Sequence, residues 1–173
     1  MRCWNLETIF ENLGEHDYDH DKVSSATPKY NCIAWAAGET DKRWWPINLG
    51  GYWWPPQLPK EETKENFIRA FELQGYVVCG NPSLQSGIEK VAIFVDDLGI
   101  PTHAARQLES GVWTSKCGQL EDIEHMNLSA MEGKEYGRPV AFLKRRRDRR
   151  PLFASRIRTV FRRLLHALKP SVL

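Results

Sequence analysis

The sequence predicts an α+β fold. Helical segments come first, short strands follow, and the apolar period changes from that of a helix to that of a strand after about residue 75. At 173 residues with 42% hydrophobic and 27% charged content, the chain is long enough for an ordinary core and too apolar for disorder over most of its length. No run of about 18 apolar residues occurs, so no helical membrane span is expected. The opening MRCWNLETIF lacks the apolar stretch of a secretory signal. These features lead us to expect cytoplasmic synthesis, with signal-independent export or peripheral membrane association left open.

Leu6, Ile9, Phe10 and Leu13 form a short amphipathic segment closed by Gly14. His16, Asp17, Asp19, His20 and Asp21 follow in a polar run whose spacing matches no zinc or calcium loop, so it reads as a solvated acidic loop. Asn31 is a good helix cap before Cys32-Ile33-Ala34-Trp35-Ala36-Ala37, and Gly38 can end that helix. Residues 39–59 hold Trp44, Trp45, Trp53 and Trp54 among prolines and glycines and read as an ordered loop. A longer helix is expected from Lys60 to Gln74, stopped by Gly75. Strands are expected at Tyr76–Cys79, Lys90–Val95, Thr102–Leu108, Gly111–Ser115 and Val140–Leu143. The third and fourth of these form a hairpin, and Leu120–Met131 reads as another helix with His125 on its surface.

Charge divides the chain. From Lys144 to Leu173 there are eleven Lys and Arg against one Asp, a net of +10, so residues 1–143 carry −8. The expected organisation is therefore an acidic α+β body, 1–143, whose N-terminal helices pack on a small, mainly antiparallel sheet, followed by a basic tail, 144–173. In the tail Phe153, Ile157, Val160, Phe161, Leu164, Leu165 and Leu168 fall at helical spacing among arginines. Such a helix can lie on an anionic membrane or envelope surface, dock on a protein partner through residues 144–169, or neutralise the acidic body of its own chain. Nucleic acid is the weaker expectation, because no base-stacking set accompanies the charge.

The candidate chemistry is that of a thiol. A cysteine at a helix start has its thiolate favoured by the exposed N–H groups there, and those groups can also hold an oxyanion. Cys32 is the only one of four cysteines so placed; Cys3, Cys79 and Cys117 read as structural. Its general base must come from elsewhere in the fold, and His103, at the head of an expected strand, is the best candidate, with His125 as a backup.

With the helix Tyr30-Asn31-Cys32-Ile33-Ala34-Trp35-Ala36 and the later Thr102-His103-Ala104-Ala105-Arg106, residues 28–145 resemble the NlpC-like branch of the papain-like cysteine hydrolases. They also resemble a group of small bacterial proteins sharing the NCIAWAAG and THAARQ patterns. The resemblance implies a cysteine peptidase or amidase that cuts cell-wall peptides or acts as a bacterial effector, with deamidase or acyltransferase chemistry as variants. It needs no cofactor or metal. It also implies a polar third residue after the histidine hairpin; Ser115 occupies that position, and Glu121 or Asp122 could reach back instead. Asn31 stands where the family usually has Asp. Asn31, Trp44, Trp45, Trp53 and Trp54 are the candidate substrate wall, with about two of the tryptophans expected in the core. The competing expectation is a non-catalytic binding module in which Cys32 is inert and the tail makes the contacts.

Overall fold

A computed structural model of the chain describes residues 6–14 and 24–147. The acidic run at residues 16–21, Cys3 and the tail beyond 147 lie outside the described residues. The dominant element is a six-stranded antiparallel sheet in the order β3-β8-β4-β5-β6-β7. Its strands are β3 (Val77–Cys79), β4 (Ile88–Val95), β5 (Pro101–Gln107), β6 (Trp113–Lys116), β7 (Asp122–His125) and β8 (Arg138–Arg146). Three short α-helices accompany it: α1 (Leu6–Ile9), α2 (Cys32–Ala37) and α3 (Lys64–Glu72). Among these described residues no helix is long and apolar enough to cross a membrane.

This corrects the expected α+β body of helices on a small sheet, because the described chain is mostly β. The helices α2 and α3 are bounded by their own caps. Asn31 accepts a hydrogen bond from the Ala34 N–H, and Gly38, at φ +87°, ends α2 after six residues. Thr63 caps α3, so residues 60–63 stay outside a helix expected to start at Lys60. The expected helix over Leu120–Met131 does not form. Its first half is β7, paired with β6 from Trp113–His125 to Lys116–Asp122, and its second half is a single 3-10 turn, Leu128–Met131, capped by Asn127. The last strand is also longer than expected, running three residues into the basic segment.

Strand alternation gives the sheet two buried faces. On one face, α2, α3 and the tryptophan loop cover Val91, Ile93, Ala104, Ala141 and Leu143. On the other, Leu6, Phe10 and Leu13 join the 3-10 turn and Tyr136 over Ala92, Phe94, Ala105, Trp113 and Ile123. Within the tryptophan loop, β1 (Arg43–Trp44) and β2 (Tyr52–Trp53) pair in parallel. Trp44 and Trp54 are buried there, while Trp45 and Trp53 pack against the same cluster and stay partly exposed. The sheet opens where the site lies. β5 and β6 pair only at Arg106–Thr114 and Gln107–Trp113, leaving the start of β5 without main-chain partners on β6.

Candidate functional site

Three predicted residues meet at this opening. The Cys32 side chain projects from the first residue of α2, and its Sγ lies 3.8 Å from the Thr102 carbonyl oxygen. The sulfur also rests against the N–H groups of Ala104, Ile33 and Cys32 itself. It therefore touches the main chain on both sides of His103. The imidazole of His103 hydrogen-bonds through Nε2 to Ser115 Oγ at 2.9 Å. Of the three candidate third residues, Ser115 is the one that reaches the ring. Asp122 lies opposite Lys116 and accepts a 2.6 Å hydrogen bond from the Tyr30 hydroxyl, so it faces α2. Glu121 makes its described hydrogen bond through its main-chain carbonyl, to the Cys117 N–H.

Ring and sulfur approach β5 from different sides. Cys32 belongs with Ala104 and Ile93 beneath α2. His103 pairs with Phe94 and stacks on Tyr136, centroids 3.9 Å apart and planes 9° apart, on the opposite face. Nδ1 of His103 is buried and has no hydrogen-bond partner among the described residues, so the thiol and the ring do not bond to each other. The pair rests neutral. Burial pushes the Cys32 thiol up to about 11, against the downward pull of those N–H groups and of Lys116. Burial, and then His125, hold His103 well below the ordinary imidazole value.

Asn31 is committed within the chain. Its Oδ1 accepts from the Ala34 and Trp44 N–H groups and its Nδ2 donates to the Trp44 carbonyl, tying the tryptophan loop to the start of α2. Trp35 Nε1 donates to Thr114 Oγ1 at 3.1 Å and docks α2 on β6. Cys79 is partly exposed on β3 and Cys117 is buried. Among the described residues no group of three or more Cys, His, Asp or Glu could hold a metal ion.

Two groups were not singled out correctly by sequence. His125, expected on a helix surface, is buried in β7, where its Nε2 hydrogen-bonds Ser115 Oγ at 2.9 Å and its Nδ1 meets the Asn127 carbonyl at 2.7 Å. Alternation of Trp113 and Ser115 with Ile123 and His125 was the available signal. Lys116, fully buried beside Asp122, carried no signal that separates it from an exposed lysine.

The histidines predict acid lability. Burial pushes His125 down to about 4, opposed by the Asn127 carbonyl, and His103 is also depressed, whereas both protonate near 6.5 once unfolded. Their contribution is complete above pH 6.5 and is lost as pH falls from there toward 4. Each contributes a slope of up to about 1.4 kcal/mol per pH unit in that window. Urea midpoints are therefore expected to fall steeply between about pH 6.5 and pH 4.5, and less steeply in His125→Phe. An equally steep fall in that variant would remove His125 from the explanation.

A family model described as Domain of unknown function (DUF7689) matches residues 21–144. Nothing matches among curated proteins or among solved structures.

Proposed function

The chain belongs to the DUF7689 family, and we propose that its opening between β5 and β6 is the site of a thiol hydrolase acting on amide bonds. Cys32 is the nucleophile and His103 the base. The observation that carries this reading is the state of His103: Ser115 anchors Nε2, and Nδ1 is a buried nitrogen without a partner among the described residues, on a residue whose main-chain flanks lie next to the Cys32 sulfur.

In this reading Nδ1 takes the thiol proton and the thiolate adds to the carbonyl carbon. The imidazolium then returns the proton to the leaving nitrogen as the C–N bond breaks. Water attacks the thioester with Nδ1 accepting its proton, and the proton passes to sulfur as the C–S bond breaks. The resting site is shut, so substrate entry must shift sulfur and ring together, as apo sites commonly tighten only when occupied. The chain order Cys32, His103, Ser115, which resembles that of NlpC-like hydrolases, favours peptide amides as substrates. Trp45 and Trp53 offer the partly exposed aromatic surface next to α2. The basic segment 144–169 would hold the enzyme at an anionic envelope surface.

A second reading has its own support. The buried sulfur, with its thiol near 11, also suits an inert core cysteine in a binding module. Acyl transfer from p-nitrophenyl acetate, followed by mass spectrometry, separates the two. The hydrolase reading expects acetylation at Cys32 to exceed that at the more accessible Cys79, and to fall by about 10²–10⁴-fold in His103→Ala. Acetylation confined to Cys79, with Cys32 unmodified, would establish the module instead.

A further inference from the structure

We infer that His125 is a positioning residue for this site: through Ser115 it dictates which nitrogen of His103 carries the proton. The inference rests on the reading of His103 as base, and it follows from donor and acceptor counting along one buried chain of groups.

The chain starts at a group that cannot change role. The Asn127 carbonyl oxygen only accepts, so Nδ1 of His125, 2.7 Å away, donates. A neutral imidazole has one N–H, which leaves Nε2 of His125 as an acceptor. Ser115 Oγ, 2.9 Å from that nitrogen, has one proton and gives it there. Only lone pairs of Oγ remain for His103, so its Nε2, also 2.9 Å away, donates. The proton of His103 is thereby fixed on Nε2 and the lone pair on Nδ1, which is the nitrogen a general base needs bare. Running the chain in reverse would set a ring lone pair against the Asn127 carbonyl lone pairs.

The start of the chain is itself anchored. Asn127 caps the 3-10 turn, its Oδ1 accepting from the Ala130 N–H at 3.0 Å and from Ser129 Oγ at 2.6 Å. Its carbonyl direction is thus set by the turn that follows β7. Tyr136, stacked on the His103 ring, holds the plane in which Nδ1 sits. Four groups from β5, β6, β7 and the turn therefore specify one tautomer. Tautomer control of this kind is worth up to about 10⁴ in rate in a serine-protease triad.

Long-range proton–nitrogen spectra of the full chain labelled with 15N-histidine test this without a substrate. The two rings are assigned by loss of signal in His103→Gln and His125→Phe. The wild type is expected to show an unprotonated Nδ1 for His103 and an unprotonated Nε2 for His125. Ser115→Ala, the smallest change, should turn His103 into a mixture of tautomers, and Ser115→Thr, which keeps the hydroxyl, should restore the single form. Acetylation of Cys32 by p-nitrophenyl acetate should fall roughly 10–100-fold in Ser115→Ala and recover in Ser115→Thr. A wild-type His103 protonated on Nδ1, or one whose tautomer is unmoved by Ser115→Ala, would overturn the inference. The expected tautomers without any acetylation of Cys32 would instead overturn the hydrolase reading and leave the positioning chain as a structural network.

Discussion

Replacing Gly137 with alanine is expected to cost about 3 kcal/mol or more and to disturb the histidine site at the same time. Gly137 has φ +68°, and a Cβ there would lie 1.8 Å from the Val95 carbonyl oxygen and 2.6 Å from its carbon. The left-handed conformation alone costs an L-residue roughly 1–2 kcal/mol. The larger part is steric, because the obstructing atoms belong to the β4 backbone and have no rotamer to change. Relief requires residues 133–137, a turn closed by main-chain hydrogen bonds between Gly133 and Gly137, to lift off the end of β4. Tyr136 would move with them, losing its stacking on His103, and its carbonyl would leave the Thr102 hydroxyl that now donates to it at 2.6 Å. Gly118→Ala is the control: φ is +59° there too, but nothing lies within 4 Å of the added carbon. Urea denaturation should show the conformational cost alone in Gly118→Ala and a much larger loss in Gly137→Ala. Equal effects would mean that the close approach at β4 is not part of the fold.

Local signals made some elements legible and hid others. Asn31 and Gly38 bracket α2 because capping acts through side chains a few residues away, so its ends could be read directly. The β5–β6 hairpin was legible from its turn and its alternation. β7 was not, since Leu120 with Ile123 and Leu128 with Met131 stand three apart and imitate one helix face; the deciding interaction is pairing with β6, which sequence periodicity does not contain. That pairing also bears on which candidate side chain lies on the face of the His103 ring. With Lys116 opposite Asp122, Ser115 lies opposite Ile123, and alternation turns Ser115 toward His103 and Asp122 away from it. A β6–β7 register shifted by one residue would have turned Asp122 to the face of Ser115 and His103. The tryptophans divide for a similar reason: Trp44 and Trp54 are covered by α3 and the sheet, a contact between distant segments that the loop's composition cannot reveal.

Lys116→Met carries the other large expectation, a loss of about 3–5 kcal/mol, because it removes one member of a buried charged pair and strands the other. The Lys116 side chain is 0% exposed and that of Asp122 is 7% exposed, with Nζ and Oδ1 3.9 Å apart. Nζ also donates to the Leu120 carbonyl and sits 5.6 Å from the centre of the Tyr30 ring. Burial pushes the lysine below its ordinary value, with Asp122 chief among the charges that oppose it. Without the ammonium, the Asp122 carboxylate keeps only the Tyr30 hydroxyl as a described side-chain donor. Lys116→Met combined with Asp122→Leu should recover most of the loss, since matched apolar groups of similar volume satisfy such a site as well as an ion pair does. The folded lysine releases its proton more readily than the unfolded one. The stability of the wild type over Lys116→Met should therefore widen as pH rises toward 10.5 and stay level at lower pH, where the lysine is protonated in both states. The same substitution reaches the sulfur. Lys116 is the charge that draws the Cys32 thiol downward, so near neutral pH, where the lysine is protonated, iodoacetamide should alkylate Cys32 more slowly in the double variant than in the wild type. A single variant as stable as the wild type would mean that the pair is hydrated in solution. An unchanged alkylation rate would separate Lys116 from Cys32 and leave the sulfur's environment to the N–H groups of α2 and β5 alone.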